Sequence, residues 1–215
     1  MSRRASTLTV QIPRRPRSGP VPIVVDSTGL KVFGESEWKV RQHGIGKRRT
    51  WRKIHLAVDE TSQDIIGFKV TTADWHDSEV LADLLGQVEG DVSQVSADGA
   101  YDTKGCHAAM AERGAKAALP PRDGAILWGN DHPRNGILKE IETKGRAGWK
   151  SESGYHRRSL SETMMIRFKQ LGDKLLSRRF ECQVVEAHIR VAVINAFAYL
   201  GMPQSVRVGQ SASAA

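Results

Sequence analysis

The apolar period of this chain switches between two and about 3.6, and the order of those switches restricts the fold more than any other feature. Ile23-Val24-Val25 is a short continuous apolar run that ends in Asp26-Ser27 ahead of Thr28-Gly29, which predicts a buried strand over 23–27. Ile54, Leu56 and Val58 alternate with Lys53, His55 and Ala57 as in a half-buried strand, and Asp64 to Thr71 returns after a polar turn as its antiparallel partner. Val80, Leu81, Leu84, Leu85 and Val88 then have helical spacing behind a capping Asp77-Ser78. Val92 to Ala97 reads as a strand, 103–113 as a helix, and Ala115 to Leu119 as a short strand closed by Pro120-Pro121.

The resulting order is β-β-β-α-β-α-β: three sequential antiparallel strands, then parallel ones joined through helices. This predicts an α/β protein with a mixed five-stranded sheet flanked by helices, the ordering of a ribonuclease H-like fold. Residues 121–150 mix Gly, Pro, Asn and charges without a clear period and read as a long irregular insertion. Trp128 and Trp149 within it either anchor the connection or stack on a base, anchoring being the commoner role. A helix over 159–176 places Leu160, Met164, Phe168, Leu171 and Leu175 on a core stripe, and a final helix over 181–200 is apolar nearly all round. Residues 1–22, rich in Arg and Pro, read as a disordered basic arm, residues 23–202 as the single domain, and 203–215 as a disordered tail.

Charge narrows the partners. The formal net charge is +8, and it is clustered: Lys39, Arg41, Lys47, Arg48, Arg49, Arg52 and Lys53 share a stretch that contains no acid. Such a segment is either a solvated loop or a hairpin that contacts DNA phosphates. A second basic stretch, with Lys144, Arg146, Lys150, Arg157 and Arg158, leads into the helix that carries Glu162. Cys106 and Cys182 form no metal-ligand pattern and predict reduced thiols in a cytosolic setting. The most apolar stretch, 184–200, is interrupted by Glu186, His188, Arg190 and Asn195, which excludes a membrane span, and no signal peptide is evident.

Three carboxylates stand where these elements would gather them. With the first strand beside the fourth and parallel to it, Asp26 and Asp98 would lie at neighbouring strand ends, where open α/β sheets bind ligands. At about 100° per residue, Arg158, Glu162 and Lys169 fall at roughly −60°, −20° and −40° from Tyr155, on one helix face. Three unpaired carboxylates in one cleft would repel each other, and two Mg²⁺ or Mn²⁺ ions would relieve this while clamping both oxygens of an in-line phosphoryl displacement. Asp26 would bridge the ions, Asp98 and Glu162 would hold one each, and Tyr155, Arg158 and Lys169 would position phosphates. The plainer reading of Arg158 and Glu162 is an exposed i,i+4 ion pair. Asp102 is either a helix cap, the commoner role, or an extra metal ligand; Asp74, His76 and Asp77 serve turns and caps by default, with metal contact the rarer alternative, and His55 is expected to be packed or exposed rather than catalytic.

Asp26-Ser-Thr-Gly-Leu-Lys31, Ala97-Asp-Gly-Ala-Tyr-Asp102 and the Tyr-x2-Arg-x3-Glu-x6-Lys signature from Tyr155 to Lys169 resemble those of bacterial insertion-sequence DDE transposases of families four and five. The similarity runs from about Ile23 to Met202. It implies a ribonuclease H-like core that nicks double-stranded DNA at element ends and joins the freed 3′-hydroxyl to a target, with Mg²⁺ or Mn²⁺, as a homo-oligomer on DNA in the bacterial cytoplasm. These enzymes usually carry an N-terminal helical DNA-binding domain, and with 25 residues ahead of Asp26 that domain is expected to be lacking here. Two rival expectations stand beside this one: a nuclease on the same scaffold without strand transfer, and a non-catalytic DNA-binding remnant that regulates a full-length enzyme.

Overall fold

The structure, a computed structural model, describes residues 6–33, 51–129 and 132–201. Strands β1 (Val21–Val32), β2 (Trp51–Asp59) and β3 (Ile65–Thr72) form an antiparallel set. Helix α1 (Leu81–Gly86), β4 (Val92–Ser96), α2 (Lys104–Glu112) and β5 (Lys116–Ala118) follow. The sheet order is β3-β2-β1-β4-β5, with β4 parallel to β1 and β5 parallel to β4. The expected α/β arrangement of antiparallel then parallel strands is therefore present. The expected count of five is corrected by one: β6 (Lys174–Leu175) pairs in parallel with the far end of β1, making six.

β1 is much longer than the apolar run predicts. The strand expected to end at Ser27 continues through Thr28-Gly29, where the missing side chain of Gly29 leaves room for the Trp51 ring; a Cβ there would lie 3.2 Å from it. As a result Asp26 sits inside β1 and not at its end.

The two faces of the sheet carry two cores. On one, Ile23, Val25, Ala57 and Ile66 pack against Leu81, Leu84 and Leu85 of α1 and Met110 of α2. On the other, Leu30, Ile54, Leu56, Val58 and Phe68 pack against helices α4 (Ser159–Gln170) and α5 (Phe180–Leu200) through Met164, Phe168, Val191 and Ile194. β2 is thus covered on both faces: His55 and Ala57, expected on a half-exposed side, are fully buried. Leu171, expected on the core stripe of α4, is exposed, because that helix stops at Gln170 and the chain turns at Gly172, with φ +140°.

Residues 121–150 are corrected most. Helix α3 (Pro133–Glu152) fills much of the stretch read as irregular, starting at a proline in its first turn and kinking at Gly145, where φ is +74°. Its anchors are Trp149, which is buried, and Arg134. The arm read as disordered is also held where it is described: Arg15 pairs with Asp64 at 3.0 Å, and Asn195 donates to the carbonyl of Pro13 at 2.9 Å. The polar residues of α5 make similar attachments. Glu186 accepts from the backbone of Leu176 and Ser177, and Asn195 brackets Ile65 by bonding both its N–H and its carbonyl. Among the described residues no helix is long and apolar enough to cross a membrane.

Candidate active site

The parallel register that sets Val24 opposite Ser96 carries Asp26 level with Asp98, two residues past the end of β4. Strand alternation then turns Asp26 toward the face covered by α4. Its carboxylate is held from both sides: the Ser27 N–H donates to one oxygen at 2.8 Å and the Ser161 hydroxyl lies 2.9 Å from the other. Arg158 approaches the same oxygen at 3.6 Å. Burial pushes the Asp26 carboxyl above its ordinary range; the Ser27 and Ser161 hydrogen bonds and the Arg158 charge oppose this, and the Asp98 charge adds to it. Asp98 begins a short 3-10 turn, Gly99–Tyr101, by accepting from the Ala100 N–H at 2.9 Å. The two aspartates expected to be neighbours are brought together.

Glu162 lies in the first turn of α4 with an exposed side chain, bonded to Arg158 at 3.2 Å. The plain i,i+4 ion pair therefore forms. Arg158 also reaches Asp26, so it stands between the two carboxylates, with its Nε buried and without a hydrogen-bond partner. Among the described residues no group of three His, Cys, Asp or Glu side chains stands close enough to hold a metal ion. Asp26 and Asp98 form the acidic pair, and Glu162 is tied to it through Arg158.

The single-helix stripe is corrected in part. Tyr155–Arg158 is a 3-10 turn entered through Gly154 with φ +71°, and the α-helix starts only at Ser159. Tyr155 is half-buried against Trp149, with ring centroids 5.6 Å apart. Burial raises its hydroxyl pKa, Arg158 opposing and the Asp98 and Asp26 charges adding. Lys169 is exposed near the far end of α4, about 10 Å along the axis from Glu162 at 1.5 Å per residue.

Of the basic segment, Lys39, Arg41, Lys47, Arg48 and Arg49 lie outside the described residues. Arg52 and Lys53 are engaged within the chain. Arg52 donates to Gln183 at 2.8 Å and covers the Phe180 ring, while Lys53 bonds the Trp75 carbonyl at 2.8 Å and Asp77 at 3.2 Å.

Three features escaped the sequence reading. Ser161 is fully buried beside Asp26; its only signal was a small polar residue next to Glu162 on the inward side of the helix. Asp102 is not the cap of α2, since the Thr103 hydroxyl accepts from the Cys106 N–H. Instead Asp102 receives both arms of Arg134 at 2.6 Å and lies 3.2 Å from His107. Burial alone would raise its pKa, but the His107 and Arg134 hydrogen bonds and the Arg134 charge hold it well below the usual carboxylate range. Finally, Asp77 gathers Ser27 at 2.8 Å, Lys53 at 3.2 Å and the buried His55 at 3.7 Å on the opposite sheet face from Asp26. His76 and Glu79, not Asp77 and Ser78, make the capping contacts there.

A family model described as the transposase DDE domain matches residues 17–196. That span opens before β1 and closes within α5, so it takes in every strand and helix that carries the acidic pair, Arg158 and Glu162. The chain belongs to the transposase DDE domain family.

Proposed function

We propose that the chain is the catalytic part of a bacterial insertion-sequence transposase of families four and five, a ribonuclease H-like core that nicks double-stranded DNA at element ends and joins the 3′-hydroxyl to target DNA. The observation that carries this reading is the position of Arg158, 3.6 Å from Asp26 and 3.2 Å from Glu162 with Asp98 beside Asp26. Two carboxylates, from β1 and α4, thus share one guanidinium, and Asp98 at the end of β4 lies beside the first of them.

The donor set fits a hard divalent cation. Asp26 and Asp98 offer carboxylate oxygens from β1 and the end of β4, and the Asp26 carboxylate, oriented by the Ser27 N–H and the Ser161 hydroxyl, is a hard oxygen donor of the kind such a cation takes. Asp26, Asp98 and Glu162 would hold Mg²⁺ or Mn²⁺, two ions in the two-metal arrangement, which supply Lewis-acid charge to the attacking and leaving oxygens of a phosphodiester. The protein's own part is positional. The Ser27 N–H and Ser161 fix the plane of the Asp26 carboxylate, so its oxygens need no reorganisation during reaction. Arg158, freed from Glu162, can turn its guanidinium to a phosphate, with Tyr155 as a hydrogen-bond donor and Lys169 as a more distant charge. The segment with Lys47, Arg48 and Arg49 extends the phosphate contact, and the enzyme works as a homo-oligomer on nucleoid DNA in the cytoplasm.

The test is a pair of assays with Mg²⁺, nicking of an end sequence and joining of pre-cleaved ends, run on the chain and on Asp26→Asn. Both products are expected from the parent and neither from the variant. Nicks without joined product would favour the nuclease. Equal activity in the two proteins, or none in either, would favour the DNA-binding remnant, a reading supported by the exposure of Glu162 and its pairing with Arg158.

A further inference from the structure

We infer that Glu60 and Arg157 form a clamp that sets the position of Arg158 over Asp26, making both positioning residues for the phosphoryl transfer; this rests on the proposed function. Arg157 occupies an unassigned place in the Tyr-x2-Arg-x3-Glu-x6-Lys signature, and Glu60 lies outside the three motifs. The geometry joins them. Arg157 Nε is 2.8 Å from a Glu60 carboxylate oxygen, and its Nη2 donates to the Glu60 main-chain carbonyl at 3.0 Å.

Glu60 is an unusual place for a surface charge to anchor. Its side chain is only 3% exposed, while its N–H bonds the carbonyl of Pro22 in β1 at 3.0 Å. The carboxylate is therefore referenced to the strand that carries Asp26. Its second oxygen accepts from the fully buried Ser96 hydroxyl at 3.3 Å, and Ser96 accepts from the Gln94 amide at 3.1 Å. The same amide donates to the carbonyl of Ser153 at 3.2 Å. One hydrogen-bonded chain thus leaves β4 and fastens the turn at both ends, Ser153 through Gln94 and Arg157 through Glu60.

Between those fastenings lie Gly154, Tyr155 and His156, and just beyond them Arg158. Arg158 sits 3.6 Å from Asp26, and Ser161, one turn on, contacts the same oxygen at 2.9 Å. Burying a carboxylate is costly unless it is paired and hydrogen-bonded. Its use at this point makes sense where a fixed distance is needed, because a shift of about 1 Å at a reacting centre costs on the order of 100-fold in rate.

The experiment compares the full chain with Arg157→Ala, Arg157→Lys and the double variant Glu60→Gln with Arg157→Ala, which leaves no unpaired buried charge. Single-turnover nicking at saturating DNA is expected to fall about tenfold or more in Arg157→Ala and in the double variant. DNA affinity should stay within about threefold, and Arg157→Lys should recover most of the rate. Parent-like rates in the double variant would overturn the clamp. So would a loss of affinity with an unchanged saturated rate, since Arg157 would then be a phosphate contact. Amide hydrogen exchange over 155–161 supplies a readout independent of catalysis: the double variant should lose protection there while the β1 amides keep theirs. Unchanged protection sinks the clamp even if the parent proves inactive, whereas an inactive parent with the expected exchange pattern counts against the proposed function alone.

Discussion

Arg134 closes both of its arms on Asp102, each at 2.6 Å, joining the start of α3 to the loop after β4. Both side chains are almost wholly buried, and Trp128 stacks against the guanidinium at 4.1 Å. Removing one member of such a pair leaves the other charge unpaired inside the protein. Asp102→Asn is therefore expected to cost about 3–5 kcal/mol in urea unfolding. A loss below about 1 kcal/mol would mean that water reaches Arg134 freely.

His55 predicts how the fold responds to acid. Burial, partly offset by Asp77, pulls its pKa from 6.5 down to about 4. The folded state therefore favours the neutral ring. The stability tied to that preference is complete above pH 6.5, begins to be lost as pH falls below it, and is gone below about 4. Unfolding free energy should drop by on the order of 3 kcal/mol across this window. His55→Gln should flatten the drop, and an unchanged pH profile would assign it to other groups.

Asp26 carries the opposite sign. Its folded-state pKa is raised, chiefly by burial, so folding favours the protonated acid, and that contribution disappears as pH rises through the folded-state value. At neutral pH Asp26→Asn should melt higher than the parent even as it abolishes nicking, and the gap should narrow in acid. A variant that melts lower at pH 7 would show that the ionised carboxylate is a net stabiliser.

Cation binding to the folded site should raise the melting temperature of the parent, by RT ln(1 + [L]/Kd) in free energy. The rise should be absent in Asp98→Asn. A shift of equal size in that variant would place the cation elsewhere.

DNA affinity is expected to fall steeply with salt, by about 0.9 log units per log unit of salt for each phosphate contacted. Neutralising Arg48 and Arg49 together should flatten that slope by up to about 2. An unaltered slope would make the basic segment a solvated loop.

The succession of strands and helices was legible in the sequence because local apolar patterns record it, and the nearness of Asp26 and Asp98 followed once that succession was matched to a ribonuclease H-like ordering, which puts the first strand beside the fourth. α3 was not legible. Only Arg134 and Trp149 are buried along it, so no apolar stripe exists to be read, and the fastening that holds the helix is an ion pair to a residue more than thirty positions earlier. Its one local sign was Pro133 in the first turn. β1 was cut short for a different reason: Gly29 stands within it to admit the Trp51 ring, and a cross-strand ring leaves no mark near the glycine. The state of Glu162 lay between these cases. Its spacing from Arg158 announced an ion pair, and the pair is there, but nothing in the spacing revealed that the same guanidinium also reaches Asp26.

β1 is bonded to β2 along one edge from Ile23 to Lys31, and to β4 and then β6 along the other. A strand gripped in this way has little freedom to travel, so Asp26 is the stationary member of the acidic pair. Any rearrangement that brings the carboxylate at 162 to bear must be made by the helix that bears it, through rotation of a side chain or a small slide of its first turn. Motion at this end of the molecule is then a matter for the helical layer, with the sheet beneath acting as the fixed reference.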